Sequence, residues 1–346
     1  MINTTLECSA PGKVVLWGEY AVLIGAPALV VAVDRVARCT LKVQRPSVKP
    51  AVERAAWEFT SRGYSAEPAG LSRNALLADP RPAATSSAQI AWHVLQALQK
   101  QSPEVALRLP SHADVLLDTR GFFQHGIKLG VGSSAALTVA LYGTLCALIG
   151  ITPDFERAVA IHSSLQSNRG SGVDIAAAWH GGLLRFERSR DDAQGLPTVT
   201  PSSALSRVDI RYFWVGHPAS TASHLDRFYA WQQTGDTESL NRLADASSEL
   251  FATRDILGAL THYIDRLRAL DADARLGIYD ASHNAMHALA QSCGVLYKPC
   301  GAGGGDIGAA FSDDPERLDR FTIRAQDTHV MPLPLETARH GIRISR

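Results

Sequence analysis

Residues 128–136 read KLGVGSSAA and run directly into the uncharged stretch 137–150. The two glycines let backbone pass close to a bulky anion, and the two serines add hydroxyls. A helix beginning there would aim its unpaired N–H groups and positive dipole end at the same point. That is a phosphate cradle in outline. Two other glycine-bearing segments lie far from it, residues 10–23 (APGKVVLWGEYAVL) and 298–306 (KPCGAGGGD).

Three charged residues in or between these segments have the chemistry to act on a phosphate or its acceptor. Lys13 follows Pro11-Gly12 at the mouth of an apolar strand; it is either a solvated strand-start lysine or a fixed cation for a phosphate or developing oxyanion. Asp174, in GSGVDIAAAW, is one acid in an apolar run after a glycine turn. It suits the first turn of a helix, and equally a general base beside a substrate hydroxyl. Glu19, in GEY, reads as a substrate contact or as the partner of a nearby cation.

Other readings of the same residues fit less well. Gly130, Gly132 and Ala135 spell the dinucleotide pattern GxGxxA, but they sit mid-chain after HGIKL, a poor strand, and no βαβ unit surrounds them. GxxxxGK[ST] does not occur. The twelve histidines show no HExxH spacing; His283 and His287, four apart on an expected helix, read as a polar face lacking a third ligand.

The elements that must position these residues follow from periodicity and punctuation. Strands are expected at 13–17, 28–33 and 38–44, then a Pro- and Ala-rich surface connection at 66–85 and a helix at 87–101. A strand at 111–118 precedes the glycine loop and its helix. A second helix opens at Pro153-Asp154 and is broken at 168–172. The Ala-rich run 173–179 stops at Gly181-Gly182 before a strand at 183–187. Residues 189–206, rich in Asp, Ser, Pro and Gly, mark a domain boundary, giving domains at 1–190 and 205–346. Beyond it come a strand at 208–216, three or four helices within 220–293, a glycine loop at 301–305, a strand near 308–311, a helix at 315–327 and two short terminal strands. Strands and helices mix without a regular βαβ beat, so the class is α+β.

Bulk properties exclude several function classes. Lys plus Arg and Asp plus Glu are both 34, so no basic excess points to nucleic acid. The five scattered cysteines fit neither a disulfide framework nor a metal site, as in a reducing cytosol. The first residues, MINTTLECSAPGK, lack the apolar core of a signal peptide. Residues 129–153 carry no charge over a membrane-spanning length, but four glycines and several Ser and Thr make them a buried core helix instead. A cytoplasmic protein with no membrane partner is expected.

In this order, the three glycine segments resemble the three signature motifs of the GHMP kinases, the galactokinase, homoserine kinase, mevalonate kinase and phosphomevalonate kinase family. GEYAVLIGAPALVVAVDR, KPCGAGGGD and HPAST at 217–221 resemble the phosphomevalonate kinase branch in particular. The resemblance implies a two-domain α+β fold, with a left-handed βαβ unit in the N-terminal domain and a ferredoxin-like C-terminal domain. It implies ATP and Mg²⁺ as cofactors and a small phosphorylated or hydroxylated acceptor. Gly130, Val131, Gly132, Ser133, Ser134 and Ala135 would bind the ATP phosphates, with Ser133 or Ser134 on the magnesium side. Asp174 falls at the family's catalytic aspartate and Lys13 at the lysine that pairs with it. Glu19, Ser220, Gly301, Ala302 and Gly303 fall on the substrate side, with Lys298, Arg185 and His217 as further candidate cations. Mevalonate kinases carry a magnesium-binding glutamate eleven residues before the aspartate; Ser163 stands there, as suits the phosphomevalonate kinase branch. The expected reaction is phosphorylation of mevalonate 5-phosphate to the diphosphate. The alternative is another GHMP enzyme, a kinase or decarboxylase acting on mevalonate or a related small alcohol or sugar.

Overall fold

A computed structural model describes residues 4–43, 57–63, 67–78, 86–101, 104–166, 169–188, 195–233, 235–328 and 330–345. The chain opens with two long antiparallel strands, β1 (Thr4–Trp17) and β2 (Ala28–Val43), joined through a short 3₁₀ turn at Ala21–Ile24. Next come β3 (Trp57–Arg62), β4 (Ala69–Leu71), α1 (Arg73–Leu77), α2 (Ser86–Gln101), α3 (Val105–Arg108) and β5 (Ala113–Asp118). A small hairpin, β6 (Phe123–Gln124) and β7 (Ile127–Lys128), leads into α4 (Ser133–Ile149), α5 (Phe155–Leu165), α6 (Val173–His180), β8 (Leu183–Glu187) and β9 (Thr198–Pro201).

These strands form the first sheet, ordered β4-β3-β5-β2-β1. The sixteen residues of β2 serve two neighbours, pairing with β5 over its second half and with β8 over its first. Strands β3 and β5 run parallel, with α1–α3 lying between them in sequence. The charge-free stretch is α4, buried along nearly its whole length between the sheet and α2, α5 and α6. A helix apolar all round must be enclosed on all sides. Among the described residues no helix is long and apolar enough to cross a membrane.

The second half continues with β10 (Asp209–Trp214), α7 (Thr221–Gln232), α8 (Glu238–Glu249), α9 (Ile256–Ala274), α10 (Ala281–Cys293), β11 (Leu296–Pro299), β12 (Ile307–Ser312), α11 (Pro315–Ala325), β13 (Met331–Leu333) and β14 (Arg343–Ser345). Strands β11-β12-β10-β13 make a separate antiparallel sheet, packed on α10 and α11 through Phe213, Met286, Tyr297, Leu318 and Phe321. Helix starts follow side-chain caps: Asp154, Asp280 and Asp314 each accept backbone N–H bonds at the head of α5, α10 and α11.

The structure differs from the sequence reading at several places, three of which bear on the sheet and the domain boundary. The expected connection 66–85 contains β4 and α1, the latter started by the Ser72 hydroxyl; residues 66 and 79–85 lie outside the described residues. Within the stretch 189–206, β9 pairs with β8 and extends the first sheet; residues 189–194 lie outside the described residues. Strand β14 crosses back to pair with β1, so the chain's C-terminal segment is part of the first sheet.

Candidate active site

The phosphate-type loop is held by strand β1. The β1–β2 ladder shifts register at Pro11/Gly12, and the Lys13 N–H donates to the Val131 carbonyl at 2.8 Å. A Cβ on Gly12 would stand 2.5 Å from that same carbonyl oxygen, so only glycine lets strand and loop meet here. Gly132 caps α4 in the left-handed region at φ 82, without a side-chain cap. The first N–H groups of α4 therefore point out of the helix unpaired by its own carbonyls, as an anion site requires. Ser133 is buried, whereas Ser134 is exposed and is the hydroxyl accessible to a phosphate-bound cation.

Lys13 stands beside this loop. Its stem lies where a Gly132 Cβ would be, 3.0 Å from Cγ, and its ammonium is 3.8 Å from Asp174 Oδ1. Asp174 enters from the first turn of α6, started by the left-handed Gly172. The pair is half-enclosed, with the Lys13 side chain 14% exposed and that of Asp174 29%.

A cavity opens on the far side of Lys13. Lys13, Glu19, Tyr20, His162, Gln166, Ser171, Asp174 and Thr221 supply its polar wall, and Val15, Val22, Leu23, Val173 and Leu225 its apolar one. Both halves of the chain contribute, because Gly301 and Ala302 close one side. The Tyr20 hydroxyl donates to the Ala302 carbonyl at 2.6 Å and ties that loop to the first half. Among the described residues, Lys13 is the one Lys or Arg lining the cavity.

The third glycine segment is a tight coil with positive φ at Gly301, Gly303, Gly304, Gly305 and Asp306. Its shape is set by buried bonds. The His283 imidazole bridges the Tyr297 hydroxyl (2.9 Å) and the Gly305 carbonyl (3.0 Å), and burial pushes its pKa down to about 4. The ring thus stays neutral, donating to Gly305 and accepting from Tyr297. The Asp306 carboxylate reaches the phosphate-type loop: a Cβ on Gly130 would lie 2.3 Å from its Cγ. Burial raises the Asp306 pKa, opposed by the Ala219 N–H and by Lys13, Lys128 and His217.

Several expected substrate-side residues are engaged in bonds within the chain. Both Glu19 carboxylate oxygens are engaged, one by Lys298 and the other by the Tyr263 hydroxyl at 2.6 Å. Tyr263 also accepts from the Gly18 N–H at 2.8 Å. Glu19 is thus a buried joint between the halves that also lines the cavity, and Lys298, its partner, is fully enclosed. The Ser220 hydroxyl caps α7 by accepting from Ser223 N–H, and its neighbour Thr221 lines the cavity instead. Gly303 packs against Ile278, away from the cavity. Arg185 pairs with Glu187 and lies over Phe251 in a different groove, and His217 pairs with Asp280 at 2.6 Å. His162, Gln166, Tyr20 and Thr221 are lining residues that the sequence reading did not single out.

Among the described residues no cluster of three or more His, Cys, Asp or Glu forms a metal cage. The donors present, the Ser134 hydroxyl and the Asp174 carboxylate, fit an ion such as Mg²⁺ that keeps most of its shell in water and phosphate oxygens.

No protein-family model matches the chain. It is 28% identical to a phosphomevalonate kinase of Streptomyces sp. strain CL190 across 98% of both chains. It is 24% identical to a mevalonate kinase of Pyrococcus horikoshii, covering 97% of this chain and 96% of that one. Among solved structures, Streptococcus pneumoniae phosphomevalonate kinase in complex with phosphomevalonate and AMPPNP superposes with a TM-score of 0.71 at 18% identity, covering 97% of this chain and all of that one (100%). By these similarities the chain is a phosphotransferase with the GHMP kinase fold, a relative of the phosphomevalonate and mevalonate kinases.

Proposed function

We propose that the chain transfers the γ-phosphoryl group of ATP to the 5-phosphate of mevalonate 5-phosphate, giving the diphosphate and ADP. The observation that carries this reading is Lys13, set between the glycine loop and a cavity that its Asp174 partner also lines. Two curated relatives named phosphomevalonate kinase, at 28% and 25% identity, support the choice of acceptor.

Phosphoryl transfer demands positioning and charge neutralisation more than covalent help. The N–H groups of 132–135 and the α4 dipole would hold the ATP phosphates. Lys13 would neutralise charge on the transferred group from the acceptor side. Ser134 and Asp174 would hold a bound Mg²⁺, which would supply further charge neutralisation. A phosphate monoester, with a second pKa near ~6, is already an ionised nucleophile at neutral pH. For that acceptor Asp174 orients Lys13 and the incoming oxygen and has no proton to remove.

One observation favours a second reading. With a single Lys or Arg among the described residues of its lining, the cavity offers little charge to a dianion, as would suit an alcohol acceptor such as mevalonate. Asp174 would then act as general base. Turnover of Mg-ATP, followed by ADP release, across mevalonate, mevalonate 5-phosphate, its diphosphate, homoserine and galactose separates the readings. The expected result is selective use of mevalonate 5-phosphate; its absence with robust turnover of mevalonate selects the alternative.

Gly130→Ala probes the nucleotide side. At φ +74, with Asp306 where the methyl must go, the loop has to deform. Strain of about 1–3 kcal/mol at this point should raise the KM for ATP roughly tenfold or more. Steady-state kinetics with varied ATP test this, and an unchanged KM would remove the loop from the nucleotide site.

A further inference from the structure

His162 sits in the last turns of α5 and is 2% exposed. Its Nε2 atom is buried and has no hydrogen-bond partner. The same residue lines the cavity beside Lys13 and Asp174. A buried polar atom left unpaired is destabilising, and a purely structural position would be better filled by an apolar ring. The unpaired nitrogen is therefore a group awaiting a partner, and the cavity is where that partner enters.

We propose that His162 is a specificity-determining residue whose Nε2 hydrogen-bonds a non-reacting oxygen of the acceptor, a hydroxyl or carboxylate oxygen that is not phosphorylated. This rests on the reading that a mevalonate-class acceptor occupies the cavity. Such a molecule has apolar carbons between oxygen-bearing ends. The lining matches that division, with Val15, Val22, Leu23, Val173 and Leu225 for the carbons and Lys13 with Asp174 for the reacting end. His162, with Gln166 one helical turn further on, supplies polar groups apart from the reacting pair. Burial lowers the His162 pKa, with Asp174 opposing and Lys13 reinforcing the shift, so the ring is neutral and has one N–H and one bare nitrogen. Either tautomer serves: Nε2 donates to a carboxylate or accepts from a hydroxyl.

The test compares the wild type with His162→Phe and His162→Gln. Phe keeps the ring volume and deletes the nitrogen; Gln restores a polar atom near the Nε2 position. Wild-type turnover with mevalonate 5-phosphate and with mevalonate is measured first, and the acceptor that is used serves for the variants. Failure of both acceptors overturns the functional reading itself, separately from His162. The expected result is an acceptor KM raised about tenfold in His162→Phe. The KM for ATP should be unchanged and the thermal midpoint should hold or rise, and His162→Gln should recover part of the loss of acceptor binding. An acceptor KM within twofold of wild type in His162→Phe overturns the proposal, as does an equal rise in both KM values accompanied by a lowered midpoint. Should His162→Phe fail to fold, imidazole ¹⁵N spectra of the wild type decide: the His162 Nε2 resonance must move on titration with acceptor in the absence of nucleotide, and a static resonance overturns the assignment.

Discussion

Lys13→Met is expected to lower kcat by about 10²–10³-fold while the protein stays folded, because the substitution deletes one preorganised cation facing the transferred charge. Methionine keeps the unbranched stem that packs against Gly132, so the loop should hold its shape. The ammonium it removes is only 14% exposed with its side chain, and an enclosed charge acts through a lower dielectric than a surface lysine does. Deleting it also leaves Asp174 without its ion-pair partner, so Asp174→Asn and the double variant complete the cycle. With a phosphate acceptor, Asp174→Asn should cost less than Lys13→Met, since no proton has to be taken from the nucleophile. With an alcohol acceptor it should cost at least as much. Single-turnover rates at saturating Mg-ATP measure both. A Lys13→Met rate within threefold of wild type would show that the charge is dispensable.

Lys298→Met should produce the largest loss of stability, about 3–5 kcal/mol, by leaving the Glu19 carboxylate buried without its countercharge. The two side chains are 0% and 1% exposed, so solvent cannot substitute for the missing ammonium. Tyr263 would still donate one hydrogen bond to Glu19, which neutralises none of the charge. The joint also lies next to Tyr20, whose hydroxyl anchors Ala302, so a weakened joint should loosen the cavity wall as well as the fold. Glu19→Gln on top of Lys298→Met removes the stranded charge and should recover a large part of the loss. Urea denaturation of the three variants gives the numbers. A single-variant loss below about 1 kcal/mol, the range of an exposed pair, would sink the argument.

How far the site was legible depends on how local its causes are. The loop 130–135, Lys13 and Asp174 were readable because their signals are backbone demands: glycines at forced φ, and a lone acid in a helix's first turn. Glu19 was left between two roles, since its partner Lys298 is 279 positions away and no local pattern announces it. Ser220 was placed on the substrate side, yet its hydroxyl is spent on the head of α7; a Ser before a helix is an N-cap signal in its own right. His162 left no trace in HSSLQ, because the burial of its Nε2 without a hydrogen-bond partner is a property of tertiary packing. In the fold, α4 stood out by its lack of charge. The short elements β4, α1 and β9 did not, being held by neighbours more than by their own propensities.

Strand β14 gives the molecule an order of assembly during synthesis. It supplies the neighbour on the outer edge of β1, and the Ser345 hydroxyl reaches the Glu7 carbonyl across 338 positions. A ribosome releases β1 first, but that edge can find its mate only after the whole second half has been made. Until then β1 presents an unpaired ladder to other nascent chains, a hazard that long-range pairing always carries. Cells making this protein quickly should therefore show aggregation that depends on translation rate, relieved by slowing elongation and worsened by blocking the pairing of residues 343–345.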